Sequence, residues 1–367
     1  MTYKETLFFV GKCLTIGHEK QNKMIVEEEL KSGKTDWDSV VKVSTAHYVF
    51  PALYCNLNRA NFLHYLPEDL VDYMKHITDL NRDRNQQIID QAKEINTLLV
   101  NNNIAPIFLK GTGNLLEGLY EDIAERMVGD IDIILSLGNV KKADKILKEN
   151  KYSSKSTLFD SKRHLPRLTK LNKMAAIELH KELLIEKYAD EFNYKMAKKD
   201  SQVVNDVNVM SFDNQLALSI IANQINDGGF HFKNIALRNA YDVFLLSKKT
   251  DSKNAFEAFI NLKNPLNCFL ASCFEVFCKP VSLQYNSTKE IEIYLRIFNE
   301  NLNDDHLRNK HRKKTERKIF IQSRLNIIYK SIFDKAHRTW LIKRTTDKNW
   351  QREKLIQLGL KNPKPNL

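Results

Sequence analysis

The chain has 367 residues, enough for about two domains and for a core that folds alone. Its 11 Gly and 8 Pro amount to about 3% and 2%, against usual levels of roughly 7% and 5%; this argues against a many-turned β-sandwich and for long helices. The net charge of +12 is unevenly placed: Arg308 to Arg344 holds thirteen Lys or Arg against Glu316 and Asp334, so the remainder is close to neutral.

Hydrophobic residues at 43% speak against a solvated polar chain, and no run approaches the roughly 18 apolar residues of a membrane-spanning helix. The short apolar patch Leu7 to Val10 lacks a small-residue cleavage site after it, so a cytoplasmic protein is expected. The five cysteines agree. Cys268, Cys273 and Cys278 recur every five residues in an apolar stretch, about 500° apart on a helix, so they read as small buried hydrophobes rather than metal ligands.

In chain order, residues 1–103 read as a helical region. Asp36 precedes Trp37 and the apolar pattern Val40, Val41, Val43 and Ala46, Pro67-Glu68-Asp69 opens a further helix, and Ile88, Ile89, Ala92, Ile95, Leu98 and Leu99 form a stripe of period 3.6 that Asn101-Asn102-Asn103 ends. Residues 104–187 read as a small α/β core. Ile104 to Leu109 is a strand stopped by Lys110-Gly111-Thr112-Gly113, and Asn114 to Tyr120 is one or two helical turns. Asp130 to Leu135 is a second strand, Val140 to Glu149 a helix, and His164 to Thr169 and Ala175 to His180 two more strands. Residues 188–367 read as helices again. Asp213 is expected to cap Gln215 to Asn226, Gly228-Gly229 to end that helix, and Leu237 to Leu246 to follow it; the tail Lys361 to Leu367 reads as frayed. The expected class is α+β: a small mixed sheet flanked by N- and C-terminal helical regions.

The sharpest chemical feature is Asp130-Ile131-Asp132. Strand alternation puts both carboxylates on one face about 7 Å apart at Cα, where two anions repel by about 2.4 kcal/mol at an effective dielectric of 20. Taken alone the pair reads as an exposed strand face. Three features add to it. Lys110-Gly111-Thr112 follows a strand and opens a helix, offering free N–H groups, close backbone approach and a cation to phosphate. Arg126 lies four residues before Asp130. Glu178 and His180 share one side of a later strand, and a third acid from a second strand is what a two-metal phosphoryl-transfer site needs. His180 and His164 read first as strand histidines bonded to neighbouring loops, and Asp242 as the helical partner of Arg238.

These residues resemble the nucleotidyltransferase superfamily of DNA polymerase β type, and within it a bacterial branch of uncharacterised nucleotidyltransferases. The likeness rests on Phe108-Leu109-Lys110-Gly111, Tyr120, Arg126, Asp130-Ile131-Asp132 and Glu178-Leu179-His180, with support from Asp36-Trp37, Ala46 to Pro51 and Ala240-Tyr241-Asp242. It implies a polymerase β-like core in which Asp130, Asp132 and Glu178 are catalytic and hold two Mg²⁺ ions, while Lys110, Gly111, Thr112 and Arg126 bind the nucleotide. Thr112-Gly113 and Asn223 depart from the branch, which has a small apolar pair and often a His there. The implied reaction moves an NMP from an NTP, ATP among the candidates, to an acceptor hydroxyl on RNA, protein or a small molecule. The competing class is a core of this shape that binds RNA or a partner without catalysis. Segment 308–344 reads first as a solvated helix face, second as an RNA surface and third as an anionic-lipid contact.

Overall fold

The computed structural model describes residues 1–154 and 163–357; the C-terminal tail falls outside them. Met1–Asn303 form one compact unit and the chain from Asp304 onward forms a second. The boundary falls inside the region read as 188–367.

The first unit opens with four helices, α1 (Tyr3–Thr15), α2 (Lys20–Lys31), α3 (Trp37–Ala46) and α4 (Phe50–Arg59). Thr2 and Glu5 make a reciprocal cap on α1, and the Asp36 side chain accepts the Ser39 N–H at 3.1 Å on α3. Gly11 lets α1 approach the later helix Lys263–Val276: a Cβ there would lie 2.7 Å from the Val276 carbonyl oxygen. The stripe ending at Asn101 belongs to α5 (Glu68–Val100), a 33-residue helix that starts directly after Pro67.

Strand β1 is only Ile107–Phe108, because helix α6 (Lys110–Glu117) begins two residues later. Lys110-Gly111-Thr112-Gly113 is the first turn of α6, so the segment opens a helix as expected and the helix begins ahead of Asn114. Lys110 has φ 51°, a left-handed value uncommon outside Gly, as the chain reverses from strand to helix. Gly113 has no room for a side chain, since a Cβ would lie 2.8 Å from the Phe108 carbonyl oxygen. Then come β2 (Asp130–Ile134), α7 (Leu137–Glu149) and β3 (Ala176–His180).

Residues 164–169 do not form the expected strand. They touch β3 through isolated bridges, His164 with His180 and Leu168 with Ile177, and Thr169 pairs with Ser153. Pro166 sits between the two contacts to β3 and has no N–H to give to a ladder. Beyond Lys187 the chain is not helical throughout. After α8 (Tyr194–Lys199), a hairpin of β4 (Gln202–Val204) and β5 (Val207–Val209) turns through Asn205 and Asp206, both with positive φ, the two-residue turn that matches strand twist. The sheet order is β3-β2-β1-β5-β4, with β2–β3 and β1–β5 parallel and β1–β2 and β4–β5 antiparallel. Ile131, Ile133, Ile177 and Leu179 are fully buried beneath it.

Helix α9 (Phe212–Ile221) is capped by Ser211, whose oxygen accepts the Asn214 N–H at 3.4 Å; Asp213 lies within the first turn and accepts the Thr250 hydroxyl instead. The helix widens into a π-turn over Ala222–Asn226, where the Asp227 N–H reaches the Ala222 carbonyl at 3.1 Å. Helices α10 (Gly229–Phe232), α11 (Leu237–Ser247), α12 (Lys263–Val276) and α13 (Lys289–Asn303) complete the unit. Cys268 and Cys273 are buried in α12 with thiols pushed up by burial, Cys268 to about 12, whereas Cys278 lies past the helix with φ 59°.

The second unit is α14 (Asp305–Phe333), α15 (Lys335–Thr345) and α16 (Lys348–Gln357). Asp304 caps α14, and Trp340 meets Trp350 edge to face at 5.8 Å. No described helix is long and apolar enough to cross a membrane.

Candidate active site

A cavity of about 360 Å³ opens over the β2–β3 face of the sheet. One wall is Asp130, Asp132 and Glu178 with Lys110, Gly111 and Arg167; the other is Ser219, Ala222, Asn226 and Asp227 from α9 and its π-turn, with Arg238, Asn239 and Asp242 from α11. Parallel pairing sets the acids. Asp132 stands opposite Glu178 and Asp130 opposite Ala176, so the register carries all three carboxylates to one face.

Each acid meets a cation. Asp132 is 3% exposed, and its Oδ1 accepts from Lys110 Nζ at 2.7 Å and lies 2.7 Å from His180 Nε2. Arg167 straddles the other two, its Nε 2.5 Å from Glu178 Oε1 and a terminal nitrogen 3.0 Å from Asp130 Oδ2. His180 Nε2 is also 3.5 Å from Glu178 Oε2. Burial on its own raises the Asp132 carboxyl, but Lys110 and His180 reverse this and hold it below the usual carboxylate range. Burial likewise works against ionisation of Glu178, which hydrogen bonds from His180 and Arg167 bring down to about 2. Asp130 moves the opposite way: burial and then the neighbouring Asp132 and Glu178 push it up. For His180, burial opposes protonation, and Asp132 and Glu178 outweigh it to raise the imidazole.

Asp132, Glu178 and His180 bring one ligand atom each within 4.8 Å of one another, a spacing a metal ion can bridge. The Asp132 and Glu178 oxygens of this cluster suit a hard divalent cation, Asp130 stands beside them on the same wall, and the repulsion that adds to burial in raising Asp130 is what such a charge relieves. The cavity lining carries five Lys or Arg and five Asp or Glu, so an added divalent ion turns it positive and receptive to polyphosphate.

The remaining residues singled out from the sequence take different places. Gly111 lines the cavity, and a Cβ there would lie 3.1 Å from Val128 Cγ2. Thr112 is 1% exposed, and its hydroxyl donates to the Asp130 carbonyl at 3.0 Å, tying the start of α6 to β2. Arg126 is buried against Asp242, with Nε 3.0 Å from Oδ2, and donates to the Met127 carbonyl at 2.9 Å. Asp242 is thus the partner of Arg126 and of the Tyr120 hydroxyl, 2.7 Å away, not of Arg238 one turn before it. His180 keeps the expected loop contact, Nδ1 lying 3.4 Å from the Glu182 carbonyl, but its closest partner is Asp132 through Nε2. Two residues of the cluster were not anticipated, Arg167 as the cation between two acids and His180 as their organiser. The signal for His180 was its offset of two from Glu178 on one strand; Arg167 had none, because a residue outside the ladder gives no register.

The sequence profile of a family described as uncharacterised nucleotidyltransferases matches residues 33–278, about two thirds of the chain. The chain belongs to that family. The match takes in the whole sheet, the acidic wall and the α9–α11 wall, and stops before the basic unit. No curated protein and no solved structure matches the chain. The α+β architecture, a small mixed sheet among helices, agrees with a nucleotidyltransferase fold.

Proposed function

We propose that the cavity carries out metal-dependent nucleotidyl transfer: an acceptor hydroxyl oxygen bonds to the α-phosphorus of an NTP, the bond to the bridging oxygen breaks, and pyrophosphate leaves. The observation that carries this reading is the in-register pairing of Asp132 with Glu178 beside Asp130, three carboxylates on one wall of a polar cavity in a nucleotidyltransferase family member. Asp130, Asp132 and Glu178 would hold Mg²⁺, two ions as the family resemblance implies, supplying charge stabilisation at the α-phosphate and lowering the acceptor's pKa.

Lys110 and Arg167 neutralise these carboxylates in the ligand-free protein and sit where phosphate oxygens arrive, so each can exchange its carboxylate for a phosphate. His180 fixes the Asp132 rotamer. Glu178, the acid from the second strand, would complete the metal site and help take the acceptor proton once the metal has made that hydroxyl more acidic. Gly111 leaves the backbone bare to the cavity, and Thr112 and Arg126 hold the walls: Thr112 through Asp130, Arg126 through Asp242. Positioning and electrostatics then supply most of the catalysis.

The test is label transfer from each of the four NTPs into whole-cell extract by the purified chain, with and without Mg²⁺, beside Asp132→Asn. Loss of transfer by about a thousandfold or more, with an unchanged circular dichroism spectrum, is expected. Transfer by Asp132→Asn at the unsubstituted rate overturns the assignment.

A further inference from the structure

Two neighbours in the Ala46–Pro51 stretch grip two neighbours at the start of α11. His47 Nδ1 accepts the Leu237 N–H at 3.2 Å. Tyr48 lays its ring against the Arg238 guanidinium, 5.0 Å from its Cζ. Tyr48 is half exposed yet held at φ 57°, a left-handed value that a tyrosine seldom takes, so the α3–α4 turn bends in the one way that puts this ring beneath Arg238.

Arg238 differs from the cavity's other well-paired cations. Lys110 is paired with Asp132, Arg126 with Asp242, and Arg167 with Asp130 and Glu178. Arg238 has the Tyr48 ring and a long contact to the Met127 carbonyl, 3.4 Å, and among the described residues no carboxylate touches it. It is largely desolvated, and burial followed by the nearby Arg126 charge lowers its pKa; even so a guanidinium stays charged. A desolvated guanidinium beside a second cation, with its fork unspent, is the arrangement that binds planar or tetrahedral anions. The carboxylate wall lies across the same cavity.

We infer that Arg238, aimed by Tyr48 and His47, receives the terminal phosphates of the nucleoside triphosphate and so separates triphosphates from monophosphates. This rests on the nucleotidyl-transfer reading. The acids, proposed to serve the α-phosphate, and Arg238 on α11 line the same cavity, so a polyphosphate anchored at the acids can present its far end to Arg238. Arg238 is then a binding residue and Tyr48 a positioning residue.

Calorimetric titration of the full chain with the four NTPs and their monophosphates, all with Mg²⁺, tests it. Arg238→Gln is expected to weaken the bound triphosphate by about tenfold or more while shifting the matching monophosphate less than about twofold. Tyr48→Ala is expected to follow in the same direction by about threefold, and Tyr48→Phe, which keeps a ring face, to restore tight binding. A merely structural role would weaken both ligands together and would lower the thermal midpoint. Equal triphosphate affinity in Arg238→Gln and the unsubstituted protein overturns the inference alone and leaves the acidic wall standing; it would mean that the anion for Arg238 belongs to the acceptor. Absence of Mg²⁺-dependent NTP binding in the unsubstituted protein overturns the nucleotidyl-transfer reading and this inference with it.

Discussion

The two units handle charge in opposite ways. In Met1–Asn303 the decisive pairs join residues far apart in the chain, with at least one partner buried: Arg126 with Asp242, Arg59 with Glu125, His180 with Asp132. In α14 to α16 the pairs are local and exposed, three or four residues apart, as in Arg308–Asp305 at 2.8 Å and Arg312–Glu316 at 3.7 Å. The surplus charge therefore lies where it is structurally cheap, while the acidic cavity lies in a unit whose many charges balance and whose cavity charges are fixed by tertiary structure. Net charge thus points to the smaller unit, whereas the cavity proposed as the active site lies in the larger one.

The largest stability effect expected from this contrast is at Asp242. Its two oxygens accept from Arg126 and from the Tyr120 hydroxyl, all buried. Asp242→Asn leaves the Arg126 guanidinium desolvated without its anion, and a loss of about 3 kcal/mol in urea unfolding is expected. A change under about 1 kcal/mol would show that this pair is no firmer than the surface ones.

The sequence made the β3–β2 side of the sheet legible because both strands alternate cleanly and carry their acids at even spacing. The β4–β5 hairpin was legible in principle, since Asn205-Asp206 between Val-rich pairs is a turn signal, but three-residue strands are too short for alternation to outweigh a helical context. What no pattern gives is the partner. Arg126 and Asp242 are 116 positions apart, and no spacing in the sequence joins them, so Arg126 was read for the nucleotide and not for Asp242. The cap of α9 failed for a smaller reason, Ser211 and Asp213 both being good caps two residues apart.

His47 sharpens the contrast with pH. Its Nδ1 accepts the Leu237 N–H, so Nε2 carries the proton and donates to the Tyr3 hydroxyl at 3.1 Å. Burial pushes its pKa down to about 4, against about 6.5 in an unfolded chain. The unfolded state therefore binds the proton first, and the stability present above pH 6.5 is lost as pH falls toward 4. Between pH 7 and pH 4.5 the protein is expected to lose about 2 kcal/mol more than His47→Asn, which keeps an acceptor but cannot titrate. Parallel stability curves for the two would remove His47 from the account.

The smallest effect is expected in the basic unit. Arg312 and Glu316 are each more than half exposed, and the cation precedes the anion on α14, the weaker order against the helix dipole. Solvent screens the pair and both side chains give up rotamer freedom to make it, so Glu316→Gln should change amide exchange across α14 by less than about twofold, at low and high salt alike. A tenfold acceleration at low salt that salt abolishes would mean that this pair carries more than 1 kcal/mol, and that the second unit, like the first, is held by specific charges rather than by helix packing alone.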